Sequence, residues 1–211
     1  MQPKSINFAD KLSLFAKQWS PKKKDRTLTL LRIGCPAFSV CQVRSIFYML
    51  ELNIRSAKVS DLDRCFEIEN ASYAGEEAAT KEKILKRIQT YPEGFLVLEN
   101  KKEIVGFINS GATHKVELSD EEFKELIGHD PDGKHIVIMS VVIHPKYQGQ
   151  SFTSLLMKNF INVMKKMEKT EIYLICQTEL ISLYAKYGFI LLGESDSDHG
   201  GLSWHEMSLS L

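Results

Sequence analysis

The sequence predicts a mixed α/β domain with a central sheet of about seven strands and helices on both faces, and three observations carry that expectation. The run "KHIVIMSVVIH" (134–144) is nearly continuous in apolar and β-branched residues, as in a strand buried on both faces. It is followed by a polar turn, by "SFTSLLMKNFINVMKKM" with apolar residues at helical spacing, and by the short apolar segment "EIYLICQ". Strand, helix and strand in that order imply a right-handed crossover and a parallel pair. Upstream, "GFLVLEN" and "EIVGFINSG" flank Asn100-Lys101-Lys102 and read as a hairpin.

The remaining elements follow in order. "LNIRSAK" alternates like a strand. Ser60 opens a helix, with Asp63 at the capping-box position and Leu62, Cys65, Phe66 and Ile68 along one face. "TKEKILKRIQTY" is a second helix capped by Thr80. "LSDEEFKELIG" is a short acidic helix. After the crossover, "ELISLYAKYG" is a helix stopped by Gly188, and "FILLGES" and "LSWHEMSLSL" are the last two strands. Residues 1–50 do not read as one clear element. The domain is expected to start near Met49 and run over 50–211, behind a foreign or mis-joined leader.

Composition narrows the class of function. Lysine plus arginine equal aspartate plus glutamate at 27 each, so overall charge indicates neither nucleic acid nor a membrane as partner. Residues 1–48 nevertheless hold about nine Lys/Arg against about two acids, which leaves the rest acidic. Cys35, Cys41, Cys65 and Cys176 form no CxxC pair and no zinc spacing. Reduced thiols in a cytoplasmic protein are expected, with no metal. No apolar run reaches the ~18 residues of a membrane helix.

The stretch "HPKYQGQSFTSLL" poses the functional question. A turn between a strand and a helix N-terminus can bind phosphate on its N–H groups, yet this one has a single glycine, Gly149. Together with "IYLICQTELISLYAKYGF" it resembles the core of the GNAT superfamily of N-acetyltransferases, over about residues 51–211. "FEIENASY", "EEAAT", "EGFLVLE", "IVGFINS", "LYAKYGF" and "HGGLSWHEM" follow the order of the arylalkylamine and polyamine N-acetyltransferase branch. The resemblance implies a single GNAT-type domain and an acetyl-CoA-dependent transfer of acetyl to the primary amine of a small molecule. The alternatives are acetylation of a protein N-terminus or lysine, and a non-catalytic acyl-CoA sensor. A monomer or homodimer is expected.

The resemblance also implies site residues. The family turn, Gln/Arg-x-x-Gly-x-Gly/Ala, falls on Gln148, Ser151 and Thr153, so Gln148, Gly149, Gln150, Ser151, Phe152, Thr153 and Ser154 would bind the pyrophosphate of acetyl-CoA. Thr153 is β-branched and crowds a close backbone approach. The strand matching Met139–Ile143 splays from its neighbour in this family, so Val141, Val142 and Ile143 would run beside the pantetheine arm, with the Val141 N–H polarising the thioester carbonyl. Tyr184 matches the general-acid tyrosine. The strand positions where vertebrate members carry two histidines are Val137 and Met139 here, which removes that relay; His135 and His144 are poor substitutes. Glu77, after Glu76 in "AGEEAAT", matches the loop glutamate of the insect branch and is the expected base, with Glu69 as second candidate. Trp204 and Met207 are placed at the amine pocket.

Overall fold

The computed structural model describes residues 52–73, 78–197 and 201–211. The expected leader, its boundary near Met49, and Glu76, Glu77 and Gly200 lie outside the described residues.

Seven strands form one mixed sheet in the order β1-β2-β3-β4-β5-β7-β6. The strands are β1 Leu52–Ser56, β2 Phe95–Asn100, β3 Glu103–Thr113, β4 His135–Ile143, β5 Glu171–Cys176, β6 Ile190–Glu194 and β7 His205–Ser210. The helices are α1 Leu62–Ser72, α2 Lys81–Thr90, α3 Phe152–Lys166 and α4 Ile181–Ala185. Only β4 and β5 pair in parallel, across α3; every other neighbour is antiparallel. Pattern alone did not place β7 between β5 and β6.

Each face of the sheet has its own core. Under α3 and α4, Phe152, Leu156, Phe160 and Met164 pack on Ile136, Ile138 and Leu174. Under α1 and α2, Cys65, Ile68, Ile84 and Ile88 pack on Phe95, Val97, Phe107 and Val142. The spacing of those apolar residues on each helix is what buries one stripe and leaves the other wet.

Local signals mostly hold. Thr80 accepts a hydrogen bond from the Lys83 N–H at 3.3 Å, capping α2. Lys101 and Lys102 turn the β2–β3 hairpin with positive φ at both positions, as a two-residue primed turn requires. The expected acidic helix is a single 3₁₀ turn, Glu122–Glu125. The start of α1 is a correction. A 3₁₀ turn over Val59–Asp61 precedes it, and the Asp61 carboxylate, not that of Asp63, accepts the Lys58 N–H at 2.8 Å. Asp61 also pairs with Arg55 at 2.6 Å, while Asp63 is exposed and pairs with Lys81.

Candidate active site

The site follows from two irregularities of β4. The first is a β-bulge. Asn109 pairs with Ser140 and Ser110 with Ile138, so Met139 is an extra residue on β4. The bulge reverses the side-chain alternation: Ile136 and Ile138 enter the α3 core, whereas Ser140 and Val142 face α1. Just past the bulge stands Gly111, opposite Val137. A β-carbon there would meet the Phe123 ring at 2.8 Å and Met139 Cε at 3.0 Å, so any larger residue would push these side-chain ends aside.

The second is an interrupted ladder. β4 and β5 pair at His135–Glu171, Ile136–Ile172 and Val137–Tyr173, and no further. Beyond Val137 the strands part. The His144 N–H donates to the Val105 carbonyl at 2.9 Å, toward β3. Because amides alternate edges along a strand, Val142 also faces β3, while Val141 and Ile143 direct theirs to the open edge. The Ile143 carbonyl accepts the side-chain amide of Gln148 at 3.2 Å, tying the following turn to the strand end. The Val141 N–H has no ladder partner on β5.

The parting strands open a cleft of about 300 Å³. Residues from both faces of the sheet line it: Glu69 of α1, Arg87 of α2, Val141 of β4, Cys176 of β5, Tyr184 of α4 and Trp204 before β7. Val141 and Tyr184 therefore share one cavity, as the pairing of an oxyanion donor with a proton donor needs. Met207 does not reach it. Its side chain is fully buried in the α3 core, 3.7 Å from the Cys176 sulfur, because β7 is an interior strand with an inward-facing position there.

Five groups lining the cleft have perturbed protonation; burial lowers Arg87 and Lys124, and it raises Tyr184, Cys176 and Glu69. Burial, then the neighbouring Cys176 and Tyr187, raises the Tyr184 phenol well above its ordinary value, so it holds its proton through the neutral range. Its ring meets Phe189 edge-on at 5.8 Å between centroids. Burial pushes the Cys176 thiol up to about 11, which makes it a poor nucleophile near neutrality. Burial also raises the Glu69 carboxyl, against the Ala79 N–H, the Arg87 charge and the Ser140 hydroxyl. Ala79 N–H and Ser140 Oγ–H both donate to Glu69 Oε1 at 3.1 Å, and Oε2 has no partner.

The turn after β4 has an unusual backbone. Gly149 and Ser151 both adopt positive φ, at 74° and 61°. Ser151 is the residue before α3 and occupies the left-handed region, which a glycine takes without cost. The first amides of α3 have no acceptors inside the helix. The Phe152 side chain lies in the core, so only its backbone faces the turn. Thr153 and Ser154 are half-buried on the first turn of the helix. Gln150 is exposed beside Gly149.

Other sequence candidates sit elsewhere. His144 Nδ1 accepts the Lys146 N–H at 3.2 Å and caps the turn. His135 lies 3.2 Å from Glu171 at the closed end of β4. Val137 and Met139 both line the cleft, without a titratable group. Sequence reasoning passed over Arg87, Asn109 and Ser140. Arg87 was detectable as a cation between Ile84 and Ile88 on the apolar face of α2, and Asn109 as an amide inside an apolar strand. Among the described residues no cluster of His, Cys, Asp and Glu could hold a metal ion, and no helix is long and apolar enough to cross a membrane.

Comparison with known proteins agrees with this geometry. The model of the acetyltransferase (GNAT) family matches residues 62–189. A curated relative, "Probable hydrolase YhcX" of Bacillus subtilis (strain 168), is 26% identical over 102 residues, covering 45% of this chain and 20% of that protein. The chain thus spans about a fifth of that relative's length. The loading GNATL domain of CurA from Lyngbya majuscula superposes with a TM-score of 0.67 at 18% identity, covering 75% of this chain and 97% of that one. The PaiA N-acetyltransferase from Thermoplasma acidophilum, in complex with coenzyme A, gives 0.57 at 19% identity over 76% and 99% of the two chains. At these identities the structural likeness speaks for the fold, and the family match extends over most of the sheet and the turn. The chain is therefore a member of the acetyltransferase (GNAT) family.

Proposed function

We propose that this protein transfers acetyl from acetyl-CoA to the primary amine of a small molecule, of the arylalkylamine or polyamine class or a relative of it, by direct attack. The single observation that carries the proposal is the interrupted β4–β5 ladder, which puts the unpaired Val141 N–H and the Tyr184 phenol in one cleft. The amides of 148–154 bind the pyrophosphate, helped by the potential at the start of α3. The pantetheine arm runs along the open edge of β4, where Val141 and Ile143 direct their backbone groups. The Val141 N–H polarises the thioester carbonyl.

Two protons must move. A free alkylamine has a pKa near ~10 and arrives charged. A carboxylate accepts its proton: Glu69, which lines the cleft and whose Oε2 has no hydrogen-bond partner, or Glu77 of the loop after α1. The attacking nitrogen forms its bond to the carbonyl carbon, the tetrahedral intermediate collapses, and Tyr184 protonates the departing thiolate. Cys176, buried and protonated, takes no covalent part.

A screen of coenzyme A release from acetyl-CoA against aromatic amines, polyamines, amino acids and peptides tests this. Release with small amines supports it. Release with peptides alone moves the assignment to protein acetylation, and binding of acetyl-CoA without release on any amine makes the protein a sensor.

A further inference from the structure

The wall of the cleft beneath α1 and α2 holds more polar groups than one proton transfer needs. Arg87 is 4% exposed and lines the cleft, yet no carboxylate among the described residues pairs with it. Its Nη2 donates to the Lys124 carbonyl at 2.9 Å, its Nη1 makes a long 3.4 Å contact to Asn109 Oδ1, and its Nε has no partner. Asn109 is fully buried behind it on β3, with Nδ2 unpaired. Glu69, 1% exposed, offers the unpaired Oε2. The neighbouring lysines are already matched, Lys83 with Glu125 at 2.7 Å and Lys124 with Glu121 at 2.6 Å. So the cleft presents a desolvated cation and a desolvated carboxyl near each other, each lacking part of its hydrogen bonding. Buried charges in folded proteins are matched. Glu69 and Arg87 attract one another across the cleft wall, and what remains missing is a donor for Glu69 Oε2 and an acceptor for Arg87 Nε; a simple amine supplies the first and not the second.

We propose that the acceptor is an amine that also carries a carboxylate, as an α-amino acid does: Arg87 takes the carboxylate, Asn109 orients the guanidinium, and Glu69 takes the ammonium. This rests on the acetyl-transfer assignment and names its substrate class. The guanidinium fork suits a carboxylate in two-point contact, a geometry that a single neutral carbonyl oxygen does not offer. Asn109 acts through Arg87 and is a positioning residue.

The test uses matched pairs on the wild-type chain: tryptophan and tryptamine, phenylalanine and phenethylamine, ornithine and putrescine. The carboxylated member of at least one pair should have kcat/KM about tenfold or more above its partner, the discrimination expected when an ionic hydrogen bond is made or lost. Arg87→Lys keeps the charge but loses the fork, and should bring that ratio close to one. Binding is read separately, as the rise in melting temperature with each amine when coenzyme A is present. A larger rise with the carboxylated member, without any turnover, keeps the carboxylate site and overturns acetyl transfer. Turnover that is equal within pairs, or better for the decarboxylated members, overturns the carboxylate site and leaves acetyl transfer standing. No preference in either turnover or melting temperature also overturns it.

Discussion

The two halves of β4 obey different rules. From His135 to Val137 the strand is bonded on both edges, and Ile136 is fully buried. From Ile138 to Ile143 it is bonded to β3 alone, and its other edge borders the cleft. The closed half holds the sheet together; the open half leaves backbone donors free. The Met139 bulge sits at the junction and re-aims the side chains, so that Ser140 meets Glu69 where regular alternation would have sent it to the α3 core. The lesson is that a strand can be core and site at once when its ladder is left unfinished.

The largest effect that could break this comparison is chemical. Tyr184→Phe is expected to lower kcat by about 10²-fold or more while KM stays within about twofold, because proton donation to the leaving group is lost and binding is not. Steady-state kinetics check it, and unchanged turnover removes Tyr184 as the acid.

Next come the halves themselves. Ile136→Ala should cost about 2–5 kcal/mol of stability in denaturant unfolding, as a buried truncation does, with kcat little changed in the folded fraction. Val141→Ala keeps the backbone N–H, so kcat should hold and stability should fall less. A large loss of kcat in Val141→Ala would show that the side chain, not the main chain, matters in the open half.

The carboxylates follow. Glu69→Gln should reduce kcat/KM by about tenfold or more. It also has a stability signature. A carboxyl whose pKa is raised in the folded state contributes stability that is fully present below its unfolded value and is lost as pH rises through the folded value. Asp61, Glu67, Glu82 and Glu99 are shifted the other way, so the signature is a difference: from about pH 4 upward the melting temperature of the wild type should decline relative to that of Glu69→Gln. Glu77→Gln should instead alter the acidic limb of the pH–rate profile, where a general base must lose its own proton before it can act; whichever variant moves that limb identifies the base.

The smallest effects lie in the turn. Ser151→Gly removes a left-handed non-glycine residue and should raise stability by about 1 kcal/mol, seen as a few degrees in melting temperature. Thr153→Gly should tighten acetyl-CoA binding a few-fold by calorimetry. Weaker binding would mean that the β-branched side chain does not crowd the cradle.

Much of the architecture was legible beforehand because it rests on short-range rules. The periodicity of 152–166, the Thr80 cap, the Lys101-Lys102 turn and the strand–turn–helix around Gln148 are each set by residues within a few positions of one another. Tyr184 and the turn could be placed by motif for the same reason. The α1 entry was misjudged because Asp61 and Asp63 are equally plausible caps until Arg55 and the Lys58 N–H, brought close by the β1–α1 chain path, select one of them.

By itself the sequence determined which segments become the seven strands and four helices of the described residues, since those depend on local backbone preference and on the spacing of apolar residues. Only the tertiary structure decided that β7 inserts between β5 and β6, that β4 parts from β5 after Val137, and that Glu69, Arg87, Asn109 and Ser140 meet. Those outcomes depend on hydrogen bonds and burial between residues 22 to 71 positions apart, whose partners no local pattern can name.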